Sequence, residues 1–209
     1  RKWAYTVKGA PKDKAEIIVC KNNFHGRTIT AVTVSSEPHY RDHFGPYTPG
    51  FKSIPFGEIK ALKRAIKSNT AAFVLEPIQA EAGIIIPPDG YLREAKDLCA
   101  QNKVLFVLDE IQTGLGRTGK HFAWQWEEAE PDLLILGKFL GGGVLPVSAV
   151  AGSSEILCFE PGEHGSTFSG YPLACAVLRE VIRVIKDEGL AERARESGLY
   201  LLERLSRIQ

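Results

Sequence analysis

Three charged residues stand directly after apolar runs: Glu76 after "AAFVL", Asp109 after "VLFVL" and Lys138 after "LLILG". Lysine is among the residues least often buried. An amine that closes a run of aliphatic residues therefore either snorkels out of the sheet end or is held there for chemistry. One charged strand end is ordinary solvation. Three of them, each behind an apolar run, point to one crevice holding two carboxylates and an amine.

The amine and Asp109 have a specific joint meaning. A lysine amine condenses with an aldehyde to a Schiff base, and pyridoxal phosphate needs such a lysine together with a carboxylate on its pyridinium nitrogen. An opposite charge within hydrogen-bonding reach favours the charged form of that nitrogen, and a protonated ring accepts electrons from a substrate carbanion. Lys138 and Asp109 are on this reading the catalytic pair. Glu76, ahead of Pro77, is read as fixing its loop, and His25, His121 and His164 as structural.

These residues need elements to position them. Short apolar runs bounded by turn residues fall at 17–20, 72–75, 104–108, 133–136 and 146–151, each too short for a helix. Between them, 58–67 carries Ile59, Leu62, Ala65 and Ile66 on one helical face, and 91–100 carries Leu92, Ala95, Leu98 and Cys99. Continuous apolar strands alternating with helices predict an α/β fold, a mostly parallel sheet with helices on both faces. Ligands in such sheets bind at the carboxyl ends of the strands, where the three charges stand. The tail reads as two helices, 173–185 and 192–208, joined at Lys186–Gly189, with Leu199, Leu202 and Leu205 spaced for one buried stripe.

"GLGRTG", Gly114 to Gly119, matches the glycine pattern of a dinucleotide fold. Its context does not. "DEIQT" separates it from the preceding strand, and Asp132 comes before the next strand instead of ending it.

Composition narrows the class of ligand. The 209 residues are 44% hydrophobic and 24% charged, enough for one sizeable core. With 26 basic and 25 acidic residues there is no broad electrostatic footprint for nucleic acid or an anionic membrane, so a small ligand is expected. No apolar run approaches the roughly 20 residues that span a bilayer. Cys20, Cys99, Cys158 and Cys175 form no C-x-x-C pair, which fits a reducing compartment, the cytoplasm or the mitochondrial matrix. The chain opens on Arg1 inside a helical pattern and lacks Met, so it is expected to be a piece of a longer protein.

Five stretches in order, "NNFHGRT", "FVLEPIQAEAG", "VLFVLDEIQTGLGRTGK", "PDLLILGKFLGGG" and "PGEHGSTFSGYPLA", resemble the large-domain motifs of class III, fold-type I pyridoxal-phosphate aminotransferases. "RKWAYTVKG", "FGPYTPGF" and Glu163 are most similar to the ornithine branch of that family, more than to the acetylornithine or 4-aminobutyrate branches. The resemblance implies pyridoxal 5'-phosphate as cofactor, bonded by Lys138, with Asp109 on the ring nitrogen, Gln112 at the ring hydroxyl, and Phe24 and Ile111 sandwiching the ring. It implies that Ser166 and Thr167 reach the cofactor phosphate of a partner subunit, making a homodimer with shared sites. Arg27 would grip the distal substrate carboxylate, and Glu81 would help choose between ornithine and 2-oxoglutarate, the implied substrates. Residues 1–187 would be an N-terminally incomplete large domain, and 188–209 a helix leading to a small domain. The rivals are acetylornithine or 4-aminobutyrate chemistry, or a catalytically silent domain of the same fold. Ala80, Phe139, Gly141, Ser169 and Tyr171 depart from the family's usual residues.

Overall fold

The computed structural model describes residues 1–208. In chain order its elements are α1 (Lys2–Thr6), β1 (Glu16–Cys20), α2 (Ile29–Val34), α3 (Pro38–Arg41), β2 (Phe51–Ile54), α4 (Ile59–Ala65), β3 (Thr70–Leu75), α5 (Tyr91–Gln101), β4 (Leu105–Asp109), β5 (Leu133–Leu136), β6 (Ala149–Gly152), α6 (Pro172–Asp187) and α7 (Leu190–Leu205). The strands form one sheet in the order β2-β1-β3-β4-β5-β6. All neighbours are parallel except β5 and β6, which run antiparallel. This is the mostly parallel α/β sheet that the alternation of elements predicts.

The central strands read as continuous apolar runs because both of their faces are covered. Ile18, Phe73, Phe106 and Leu108 join α4 and α5 in the main core, with Leu62, Ala95 and Cys99 buried among them. Val19 and Val107, which alternate with those residues, are buried too. A smaller cluster of Ala4, Ala15 and Ala71 fastens α1.

One strand escapes the sequence reading and another starts later than it predicts. "FKSI" in β2 is an edge strand with only Ile54 buried, so it has no continuous apolar run to betray it. The last strand begins at Ala149, past Pro146, which has no N–H to give a ladder. The joint between the last helices is where the sequence puts it: α6 ends at Asp187, and Gly189, with φ of 60°, precedes α7. The stripe of α7 is a correction. Leu199, Leu202 and Leu205 are exposed, because no described residue covers that face.

Candidate active site

Glu76, Asp109 and Lys138 stand just past or at the carboxyl ends of β3, β4 and β5, three adjacent parallel strands. Register sets Asp109 beside Ile135, and Glu110 N–H donates to the Ile135 carbonyl at 3.0 Å. The sheet therefore brings all three charges to one edge.

Asp109 is 5% exposed and its carboxylate is doubly held. One oxygen accepts from the Ile111 N–H at 3.1 Å, and the other lies 2.7 Å from His25 Nδ1. A carboxylate offers about four lone-pair sites, so acceptor capacity remains for a further N–H. His25 is the residue the sequence reading missed. Its position between Phe24 and Arg27 in "NNFHGRT" was visible, but only the approach of that loop to β4 gives the imidazole its carboxylate. The His25 Nε2 is buried and has no partner within the described residues.

Glu76, read from the sequence as fixing its own loop, holds the loop that bears His25. Its carboxylate accepts from the Phe24 N–H at 2.9 Å. Burial pushes its pKa up, the Phe24 N–H and the neighbouring His25 oppose that, and Asp109 adds to it. Glu110, directly after Asp109, organises the segment that follows β4. Its buried carboxylate accepts from the Thr113 hydroxyl at 2.7 Å and from the N–H groups of Ala123 at 3.0 Å and Trp124 at 2.9 Å. Burial raises its pKa as well.

The other candidates differ in where the fold puts them. Ile111 packs against Gly137, whose added Cβ would stand 3.4 Å from Ile111 Cγ1, so the turn after Asp109 touches the residue preceding Lys138. Lys138 itself has φ of 45°, a left-handed backbone that costs an ordinary residue roughly 1–2 kcal/mol. Strain thus sits at the residue bearing the amine. Gln112 Nε2 donates to Glu81 at 3.4 Å. Arg27 lies over the Tyr40 ring at 4.1 Å and the Phe24 ring at 5.2 Å. Ser166 and Thr167 are not brought in. They lie in the exposed segment between β6 and α6, and no hydrogen bond joins them to Asp109 or Lys138 among the described residues.

The glycine-rich turn opens no helix. Gly119, with φ of 90°, backs onto α7, where an added Cβ would meet Arg195 Cβ at 2.8 Å. Closeness to α7 accounts for that glycine without a nucleotide. Of the family departures, Ala80 is accommodated: the positive φ values of its turn fall on Gly83 and Ile84. Phe139 is stacked beneath Arg117 at 4.4 Å.

The family model "Aminotransferase class-III" matches residues 1–209. The chain belongs to the class-III aminotransferases. Among curated relatives it is 60% identical to an ornithine aminotransferase of Brevibacillus brevis, over 100% of this chain and 52% of that protein. It is 57% identical to an ornithine aminotransferase of Bacillus subtilis, with the same coverage. The chain thus spans about half the length of the curated relatives it matches. An ornithine aminotransferase structure from Toxoplasma gondii superposes with a TM-score of 0.97 at 50% identity, covering 99% of this chain and 49% of that one. An acetylornithine aminotransferase structure from Elizabethkingia anophelis gives 0.84 at 42%, covering 99% and 48%.

The residues at the sheet edge of this class-III aminotransferase fit pyridoxal phosphate. Asp109 is buried, held on both oxygens and still able to accept a ring N–H. Phe24 and Ile111 offer apolar surfaces, and the Lys138 amine has no ion pair among the described residues.

Proposed function

We propose that the protein to which this chain belongs is a pyridoxal 5'-phosphate-dependent ornithine aminotransferase. It moves the terminal amino group of ornithine to 2-oxoglutarate, giving glutamate semialdehyde and glutamate. The observation that carries the reading is the buried, doubly held Asp109 on the strand beside the one that leads to Lys138. The 57–60% identity to relatives named for that activity supports the choice of substrate.

The cofactor, when bound, supplies an aldehyde for the amine and a ring that accepts electrons. Asp109 holds the proton on the ring nitrogen, and His25 fixes the carboxylate's orientation through Nδ1. Phe24 and Ile111 would hold the ring between their apolar surfaces, and Gln112 would donate to its hydroxyl. Lys138 Nζ would hold the cofactor through its aldehyde carbon and, when free, would move a proton at the substrate carbon. Arg27 binds the distal carboxylate, its planar fork matching two oxygens. Glu81 opposes reaction at the α-amine of ornithine by occupying the charge that would bind the α-carboxylate. Ser166 and Thr167 serve the phosphate of a second subunit, so the active form is a homodimer. Residues 1–187 act as the cofactor-binding domain, with the start of α7 lying against its glycine-rich turn. The four cysteines are free, in keeping with a reducing compartment.

Borohydride reduction of the full-length protein with cofactor, followed by peptide mapping, should mark Lys138. A mark on another lysine with Lys138 untouched refutes the site. Ornithine and 2-oxoglutarate should yield semialdehyde, and an inactive Lys138→Ala chain mixed with an inactive Thr167→Ala chain should regain activity in verified heterodimers. Failure to regain any returns Thr167 to its own subunit.

A further inference from the structure

We infer that Tyr40 is a positioning residue that holds the Arg27 guanidinium flat so that its N–H fork is presented to the distal carboxylate of the substrate. The inference rests on the carboxylate-binding role proposed for Arg27 and extends it to a residue with no other assigned role.

Tyr40 and Arg27 are 13 positions apart in sequence, and the fold closes that gap. The Arg27 guanidinium carbon lies 4.1 Å from the centroid of the Tyr40 ring and 5.2 Å from that of Phe24. The two rings meet edge to face, centroids 5.9 Å apart and planes at 78°. Three side chains thus support one another, and Phe24 is itself anchored by the Glu76 carboxylate through its N–H.

Such a stack is directional. A guanidinium over an aromatic face uses its own π surface, which leaves its in-plane donors available. Among the described residues, no carboxylate forms a salt bridge with Arg27. The arginine is therefore braced by rings and not consumed by an ion pair. A free arginine samples many rotamers, and some of that freedom must be given up on gripping a carboxylate. The ring removes that freedom beforehand, which is how preorganisation raises affinity.

The segment bearing Tyr40 is tied down at both ends. Thr28 caps α2, accepting from the Ala31 N–H at 3.4 Å, and Glu37 caps α3, accepting from the His39 N–H at 3.1 Å. Beyond it the Tyr47 hydroxyl donates to the Arg41 carbonyl at 2.7 Å, and the Thr48 N–H donates to the Thr33 hydroxyl at 2.9 Å. The backbone that carries Tyr40 is thus held within the chain, and its ring meets that of Phe24 edge to face.

Glutarate, a dicarboxylate with no amine to react, isolates the grip from the chemistry. Its Kd for the full-length holoenzyme, measured by equilibrium dialysis, should rise about tenfold in Tyr40→Ala and stay within about twofold in Tyr40→Phe, which keeps the ring. Arg27→Ala should weaken glutarate further. If Arg27→Ala leaves glutarate binding intact, the carboxylate-binding role of Arg27 falls and this inference with it. If Arg27→Ala weakens glutarate and Tyr40→Ala does not, only the role given to Tyr40 is overturned. Equal losses in Tyr40→Phe and Tyr40→Ala would also overturn it, since the hydroxyl and not the ring would then matter. So would a cofactor Kd that rises in Tyr40→Ala by the same factor as glutarate, because that marks general damage to the loop.

Discussion

Leu108 and Leu202 are both leucines inside regular secondary structure, yet Leu108 is fully buried at the end of β4 while Leu202 is 66% exposed on α7. The contrast extends to their regions. The strands up to β5 press Phe73, Leu75, Phe106 and Leu108 against α4 and α5. From Gly142 to Ile208 no described residue is buried, although α6 and α7 are amphipathic helices of 16 residues each. Helical spacing creates an apolar face, but burial needs a second surface, and this chain supplies one only in its first region. The candidate chemistry follows the same division. Asp109 and His25 can be desolvated and held at 2.7 Å because the backbone beneath them is packed on both sides. Ser166 and Thr167 lie in the open region, where no described residue aims them at Asp109 or Lys138.

That contrast can be broken, and the largest effect is expected in the core. Phe106→Ala in the full-length protein should cost about 3–5 kcal/mol, because the cavity cannot fully collapse. A denaturant midpoint close to that of the wild type would mean the first region is not the stability core. The next effect is chemical. Asp109→Asn keeps the shape but removes the charge, so kcat should fall at least about a hundredfold, ~2.7 kcal/mol in barrier, with much less loss of cofactor occupancy. A near-native kcat would show that burying this carboxylate serves structure alone.

A smaller effect concerns Glu76, whose pKa in the folded protein is raised above the ordinary 4.5, chiefly by burial. Between those two values the native state binds more protons than the unfolded state. The favourable contribution of the protonated form is therefore full below the ordinary value and is lost as pH rises through the folded one. Glu76→Gln keeps an acceptor for Phe24 and has no such proton. Its stability relative to wild type should improve from pH 4 to pH 8, read as the difference in urea midpoints, and a constant difference would discount the burial effect. Smallest of all, Leu202→Ala in this 209-residue chain should change stability by no more than ~0.5 kcal/mol. A loss of several times that would mean the α7 face is covered after all.

Much of this was legible in the residues. Parallel strands buried on both faces show as unbroken apolar runs, so β1, β3, β4 and β5 were marked, while edge strand β2, with one residue buried, was not. The helical period placed α6 and α7 but said nothing of what lies against them. The pattern "GLGRTG" is visible in the sequence, yet the reason for Gly119, the approach of Arg195, joins residues 76 positions apart.

By itself the sequence determined the class of fold and which charges end which strands, because both depend on local period and on residue order. It also singled out Lys138 and Asp109, since an amine and a carboxylate behind neighbouring apolar runs are visible as a pattern. Only the tertiary structure decided the company those residues keep. His25 reaches Asp109 across 84 positions, Glu76 reaches the Phe24 N–H across 52, and Tyr40 comes under Arg27 by the folding back of α3. Hydrogen bonds and ring stacking act over a few ångströms, and which residues come that close is set by the packing of whole elements.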